Sequence, residues 1–198
     1  MANKNSWKDH YWYTVPVMRK RIESIIEAAN PLGKEIVEVG CNEGFVSKAL
    51  MENGAKSVTP VDYSDEMVQK AKEEFGLDVV KGNILNLPFP DQSFDVALGC
   101  EVLEHIFNPF KGLSELFRVA REKVVISVPV GEYWAGELTH QWILNGKFIN
   151  HDSVEVYDAN KDILILVFNR IRDNDFKDIP PFETIPLMKK YSIGGHRP

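Results

Sequence analysis

Residues 35–45 read E-I-V-E-V-G-C-N-E-G-F, and the rest of the chain can be read outward from them. Glu35–Val39 is a short β-branched run with the character of a strand. Gly40 and Gly44 follow at once, where a backbone must turn tightly and let a ligand come close. Behind them Glu43–Asn53 has a helical stripe in Val46, Ala49 and Leu50, and Gly54 can terminate it. The alternation then repeats. Ser57–Val61 reads as a second strand. Ser64 can cap a helix in which Met67, Ala71 and Phe75 recur every fourth residue, with Asp65 and Glu66 at its positive end and Gly76 at its close. Asp78–Lys81, Phe94–Gly99 and Lys123–Val128 give three more strands. Asn108-Pro109 opens a helix with Leu113, Leu116 and Phe117 on one face. Ser153–Arg170 reads as two strands around Asp158–Asp162. Strands alternating with helices in this way define an α/β fold with a doubly wound, mostly parallel sheet.

The two flanks differ from this middle. Residues 1–30 carry Trp7, Tyr11, Trp12 and Tyr13 and then a helical pattern through Ile22, Ile25 and Ile26, which suits an aromatic helical lid. Residues 171–198 hold four of the eleven prolines and no clear period. The expected organisation is a single domain over 1–170 followed by a proline-containing tail.

Composition narrows the function. At 198 residues, 44% hydrophobic and 26% charged, the chain is long enough for one domain that buries roughly 70% of its unfolded surface. That excludes a mainly disordered or collagen-like chain. No run approaches the 18 or so apolar residues of a membrane span, and Met1–Trp7 has no apolar signal core. Cys41 and Cys100 are too few for a disulfide framework. These features lead us to expect a cytoplasmic protein without membrane contact. A net charge of -6 disfavours bulk nucleic-acid binding, which needs a basic face. The only basic triplet, Arg19-Lys20-Arg21, reads as a solvated helix face. Small-molecule substrates are expected, with the protein a monomer or homodimer.

In an open parallel sheet, ligands gather outside the carboxyl ends of the strands, at the point where strand order reverses. The residues there are Gly40–Gly44, Asp62, Asn83 and Cys100-Glu101. Asp62 lies about 20 residues after the first glycine, the spacing of an acid that accepts both ribose hydroxyls. A dinucleotide site would want G-x-G-x-x-G and a helix start free of negative charge. Here the turn is G-C-N-E-G-F, and Glu43 would repel a pyrophosphate. A cationic sulfonium nucleoside would instead welcome Glu38 and Glu43. The electrostatics point toward S-adenosylmethionine as ligand.

V-E-V-G-C-N-E-G-F (37–45), V-D-Y-S-D-E-M-V (61–68) and N-L-P-F-P-D-Q-S-F-D-V-A-L-G-C-E-V-L-E-H-I (86–106) together resemble the successive motifs of class I S-adenosylmethionine-dependent methyltransferases, most closely the group called type 11. The resemblance covers residues 33–130. It implies a Rossmann-like seven-stranded sheet with the last strand antiparallel, and S-adenosyl-L-homocysteine as product. Carried over by position, Glu38, Gly40, Asn42 and Gly44 would line the methionine end of the donor. Asp62 would hold the ribose with Tyr63 beside the adenine, Asn83 and Ile84 would flank the adenine edge, and Cys100 would lie beneath the sulfonium. Three departures stand out. Asn42 replaces the usual middle glycine, and asparagine tolerates left-handed backbone. Asn83 replaces an aspartate but can still accept a hydrogen bond. Val119–Lys123 runs straight in where a Lys-Pro-Gly-Gly turn is usual.

Methyl transfer is an in-line displacement, so positioning supplies much of the catalysis, with a base needed only for a protonated acceptor. The candidate catalytic residues are Glu104, His105 and His140. Glu101-x-x-Glu104-His105 would put three side chains on one helix face. With His140 they could hold a divalent ion, as in small-RNA 2′-O-methyltransferases and ubiquinone-pathway O-methyltransferases, which these residues resemble. The same block is also the generic family pattern, which implies no metal, and none is the favoured expectation. For the acceptor the candidates are Tyr11, Tyr133, Trp134 and Trp142. The leading reading is a small-molecule methyltransferase. The alternatives are a metal-dependent O-methyltransferase and a catalytically silent S-adenosylmethionine-binding partner protein.

Overall fold

A computed structural model describes residues 6–129, 140, 154–160 and 163–169. Two helices, α1 (Tyr11–Thr14) and α2 (Pro16–Ala29), precede the alternating part. There follow β1 (Glu35–Val39), α3 (Phe45–Glu52), β2 (Ser57–Asp62), α4 (Asp65–Phe75), β3 (Val80–Lys81), β4 (Phe94–Cys100), α5 (Pro109–Val119), β5 (Ala120–Pro129), β6 (Val154–Asn160) and β7 (Ile163–Asn169). The strands form one sheet in the order β3-β2-β1-β4-β5-β7-β6. Strands β1 to β5 pair in parallel, while β7 runs antiparallel to both β5 and β6. The seven strands and the reversed last one are those the family resemblance implied. Strand order turns back on itself between β1 and β4, so the cleft expected of such a sheet opens at the carboxyl ends of these two.

Strict alternation along the strands feeds two cores. Ile36, Val96, Leu98 and Val125 pack with α2, α3 and α4 on one face. Val37, Val39, Ala97, Val124 and Ile126 pack with α5 on the other. The helix ends follow local chemistry. Ser64 Oγ accepts from the Met67 N–H at 3.4 Å, and Gly76 closes α4 in the left-handed region. Asn108 Oδ1 accepts from the Lys111 N–H at 3.0 Å ahead of Pro109. Some boundaries differ from those read off the sequence. The third strand keeps only two residues, and β5 starts at Ala120, three residues early, with no loop after α5.

That abrupt passage has a cause. Arg118, in the last turn of α5, reaches back to the Phe89 carbonyl at 2.7 Å, the Leu87 carbonyl at 3.1 Å and Asp91 at 2.9 Å. Buried Glu115 accepts from the Leu87 N–H at 2.9 Å and from Arg118 at 2.8 Å. Arg121, at the start of β5, binds Asp95 at 3.0 Å and Glu35 at 2.5 Å. The L-P-F-P-D-Q-S-F-D block is therefore a loop running into the start of β4, pinned to α5 and β5 away from the cleft. Phe89 and Phe94 stack edge to face within it, 5.0 Å between centroids.

The N-terminal aromatics divide between two roles. Trp7 is buried against Tyr13 and Phe45, with centroids 4.7 and 5.9 Å away, and so belongs to the core. Trp12 is partly exposed at the cleft. Among the described residues no helix is long and apolar enough to cross a membrane. The expected tail over 171–198 lies outside the described residues.

Hydrogen bonds from Arg118, from the Leu87 amide and from Lys111 hold the Glu115 carboxyl down at about 2. Its stabilising contribution is complete above the ordinary carboxylate range and is lost as pH falls toward 2. Glu115→Ala is expected to cost about 3 kcal/mol by urea unfolding at pH 7, the scale of removing one partner from a buried ion pair. The difference from wild type should shrink at acid pH.

Candidate functional site

The turn after β1 is built on left-handed backbone. Gly40 has φ +77°, and a Cβ there would lie 2.3 Å from Val102 Cγ2. Gly44 has φ +85°, and a Cβ there would meet Leu77 Cδ1 at 2.3 Å. Only glycine fits either position. Asn42 takes φ +50°, the conformation that asparagine tolerates in place of the usual glycine. The turn is tied to β2 by the Gly40 N–H, which donates to the Val61 carbonyl at 2.8 Å, and by the Asn42 N–H, which donates to Asp62 Oδ2 at 2.8 Å. The other Asp62 oxygen accepts from the Ser64 N–H at 2.9 Å. Each carboxylate oxygen keeps a lone pair for a further donor.

Two cavities flank this turn. The larger, about 470 Å³, is lined by Asp62, Tyr63, Asn83, Ile84, Val102 and His105, among others. The smaller, about 320 Å³, is lined by Trp12, Arg21, Glu38, Glu43, Phe45 and Cys100, among others. Gly40, Asn42 and Glu101 line both, so the two are halves of one cleft folded over the turn. All but one of the residues expected to hold the donor border it; the exception is Gly44, whose role is to let the backbone pass. In the larger half Tyr63 is exposed and Ile84 is buried. Asn83 Oδ1 accepts from the Leu85 N–H at 2.9 Å, closing a local turn, so that oxygen is already engaged.

The smaller half is acidic. Glu38 is buried, accepts from Ser47 Oγ, and has its carboxyl pushed up to about 8 by burial. Glu43 lies 3.7 Å from Lys70, which offsets part of its charge. Burial also raises the Cys41 and Cys100 thiols, so both remain protonated packing groups near neutrality. Glu101 holds φ +54°, a strained value for a glutamate. Its N–H donates to the Ser127 carbonyl at 3.0 Å, and Ser127 Oγ donates to its Oε1 at 2.8 Å.

The sequence placed Glu101, Glu104 and His105 on one helix face, and this is corrected. Only Leu103–His105 is helical, as a single 3-10 turn, and Glu101 precedes it in left-handed backbone. What does come together is Glu104, His105 and His140, with one ligating atom of each lying within 4.8 Å of the others. The two imidazoles meet edge to face, 4.9 Å between centroids. Glu104 is buried and both its oxygens lack a hydrogen-bond partner among the described residues. Burial, then the charge of Glu101, pushes its carboxyl up to about 9. This trio is the set that could hold a divalent ion.

Of the expected acceptor contacts, Tyr11 is 68% exposed and lines neither cavity, whereas its neighbour Trp12 does. Tyr133, Trp134 and Trp142 lie outside the described residues. Arg21 was missed. Arg19 and Lys20 are exposed as a solvated face should be, but Arg21 turns into the smaller cavity. The signal was available in the spacing: Met18, Arg21, Ile22 and Ile25 share one face of α2.

A Rossmann-like sheet whose switch point carries a glycine turn, a ribose-spaced acid and a two-part cleft defines a nucleoside-binding domain. Comparison with known proteins makes it specific. Residues 37–128 match the family described as a methyltransferase domain. Over 117 residues the chain is 31% identical to a probable S-adenosylmethionine-dependent methyltransferase of Mycolicibacterium smegmatis, covering 58% of this chain and 43% of that one. Over 108 residues it is 32% identical to the ubiquinone biosynthesis O-methyltransferase of Pseudomonas fluorescens, covering 51% and 46%. The solved structure of a methyltransferase from Aquifex aeolicus shares the fold, with a TM-score of 0.58, 20% identity and 79% of this chain against 94% of that one. The chain spans less than half the length of these curated relatives. Residues 37–128 thus match a methyltransferase-domain family, and the relatives that the chain resembles there include proteins named as S-adenosylmethionine-dependent methyltransferases.

The buried Glu38 has a measurable consequence. Its folded value lies above the ordinary carboxylate range, so between about 4.5 and 8 the fold keeps a proton that the unfolded chain has shed. Stability therefore falls as pH rises through that window. Urea unfolding at pH 5 and pH 8 should show this decline, and Glu38→Gln should make it smaller.

Proposed function

We propose that this protein transfers a methyl group from S-adenosylmethionine to a small-molecule acceptor. The observation that carries the reading is the two-part cleft, with a ribose-spaced carboxylate in one half and acidic walls in the other. Asp62 takes the ribose hydroxyls. Tyr63, Asn83 and Ile84 bound the adenine. Glu38, Gly40, Asn42 and Gly44 shape the methionine end, with Cys100 under the sulfonium. The acceptor's lone pair attacks the methyl carbon in line, the carbon–sulfur bond breaks with its electrons passing to sulfur, and S-adenosyl-L-homocysteine is left. Glu43 and Glu101 suit the cationic sulfonium of the donor, while Glu38, protonated up to about 8, offers a hydrogen-bonding group. Residues 1–170 act as one unit, in which α2 packs in the core and the segment before it, whose Trp12 borders the acceptor's approach, is the lid. The choice of a small acceptor is supported by the chain's net charge of -6 and by a relative named for ubiquinone biosynthesis.

A second reading is favoured by the cluster of Glu104, His105 and His140, with its orphaned buried carboxylate. In that reading the trio holds a divalent cation, which would polarise an acceptor hydroxyl. Otherwise the same residues serve as a base for a protonated acceptor. Chelator treatment followed by titration of Mg²⁺ or Zn²⁺ separates the two: activity restored by metal supports the cation, and unchanged activity supports the base.

The experiment for the main reading is a screen of metabolite pools with S-adenosylmethionine, following donor consumption and the mass of the methylated product. Calorimetry with S-adenosyl-L-homocysteine accompanies it. Asp62→Ala should weaken product binding by about 1–3 kcal/mol, the scale of a lost charged hydrogen-bond pair. Binding of nicotinamide dinucleotides without S-adenosyl-L-homocysteine would overturn the reading. Binding without turnover of any acceptor would make the chain a silent donor-binding protein.

A further inference from the structure

Among the described residues the exposed large hydrophobic side chains are Leu32 and six others. Leu32 precedes β1, at the amino end of the sheet. The other six stand at the carboxyl end, around the mouth of the cleft. Tyr11, Trp12 and Val17 lie on the segment that enters α2, whose Trp12 and Met18 line the smaller cavity. Tyr63 follows β2 and Phe107 precedes α5, and both line the larger cavity. Phe110 is in the first turn of α5. Their exposure runs from 39% at Trp12 to 82% at Phe107. A single exposed apolar residue is ordinary, but a set gathered at one end of a fold marks a surface that is covered in use.

Charge and arrangement single out what covers it. Arg19 and Lys20 are exposed beside Val17, and neither has an ion-pair partner among the described residues. Glu23, one turn further along α2, is taken by the Tyr13 hydroxyl at 3.0 Å. Across the mouth, Asp65 is paired with Lys81, and Glu66 with Lys70 at 3.0 Å. These acids are engaged, while Arg19 and Lys20 have no counter-ion. A protein interface gathers its aromatic anchors at its centre. Here the centre is the opening of the cleft, and the aromatics stand around it on three separate parts of the chain. A fluid bilayer needs no matching shape; its headgroup layer suits tyrosine and tryptophan, and anionic headgroups suit Arg19 and Lys20. We infer that this rim is a membrane-contact surface, which seats the mouth of the cleft on an anionic bilayer. Such contact is peripheral and needs no spanning helix. A rim assembled from separate loops leaves no apolar run to read, which is why hydropathy led us to expect no membrane contact. The docking goes beyond the methyl-transfer reading and does not depend on it.

The test is co-sedimentation of the full chain with vesicles of phosphatidylcholine, alone or mixed with phosphatidylglycerol. The wild type should bind the mixed vesicles about tenfold more tightly than the neutral ones. Tyr11→Ser combined with Phe110→Ser should weaken binding to the mixed vesicles about tenfold. Arg19→Glu combined with Lys20→Glu should lower it to the level of the neutral vesicles. Leu32→Ser, equally exposed but at the far end, should change nothing. No binding of the wild type to either vesicle, or an equal loss in Leu32→Ser, overturns the inference. A dimer in sedimentation velocity that Tyr11→Ser with Phe110→Ser dissolves, without vesicle binding, overturns it in favour of a second copy of the chain. Should that pair of changes abolish the cooperative unfolding transition, the charge reversal decides: lost binding supports the contact and unchanged binding refutes it. Calorimetry with S-adenosyl-L-homocysteine keeps the two readings apart. Vesicle binding without this ligand's binding overturns the donor reading alone, and the converse overturns the docking alone.

Discussion

The Asp62 carboxylate, caught between the Asn42 amide at 2.8 Å and the Ser64 amide at 2.9 Å, is the contact on which the cleft depends. It joins the loop after β1 to the loop after β2, and so fixes the distance between the two walls that a nucleoside must bridge. The contact is available only because Gly40, Asn42 and Gly44 all lie at positive φ, which brings the Asn42 amide round to face β2. Val102 and Leu77 fill the space where side chains at the two glycines would stand. Backbone geometry, packing and ligand recognition are thus settled by the same five-residue turn. A change at any of its three left-handed positions would disturb all of them together.

Much of the fold was legible in the sequence because its signals are local. The strand-turn-helix at residues 35–53, the Ser64 cap, the Gly76 stop and the Asn108-Pro109 start all depend on neighbours within a few residues. The misplaced boundaries depend on partners far away in sequence. The early start of β5 follows from Arg118 and Arg121 gripping a loop some 27 residues upstream. The donor side of the candidate site was legible as well, since spacing after the first glycine brings Asp62, Asn83 and Cys100 to one edge of the sheet. The geometry of Glu101 was not. Helical spacing within E-V-L-E-H predicts a shared face, but the backbone at Glu101 is diverted by its bonds to Ser127 on β5. Arg21 is hidden for a different reason: the basic triplet looks like one object in sequence, although α2 turns its third member inward and leaves the first two outside.

The motif that most strongly marks the family is also the one furthest from the chemistry. L-P-F-P-D-Q-S-F-D is held by Glu115, Arg118 and Arg121, whose ion pairs and carbonyl contacts serve the scaffold. Its value to the cleft is indirect. By fixing α5 and the start of β5 it sets where Ser127 lies, and Ser127 sets where Glu101 points. Recognising a family by its sturdiest loop and assigning a site by its chemistry are therefore separate inferences in this protein, drawn from different residues.

The direct passage from Val119 at the end of α5 to Ala120 at the start of β5 leaves the chain no slack. Side chains on a strand alternate between faces, so the helix end, together with the one irregularity in pairing between Ala120 and Lys123, sets the parity of the residues on β5. One residue inserted at this joint, with the helix unmoved, would exchange the two faces of a central strand. Ser127 would turn away from Glu101, and valines and isoleucines would leave their own layer for the opposite one. The joint behaves as a reading frame for the sheet, and it tolerates changes of side chain far better than changes of length.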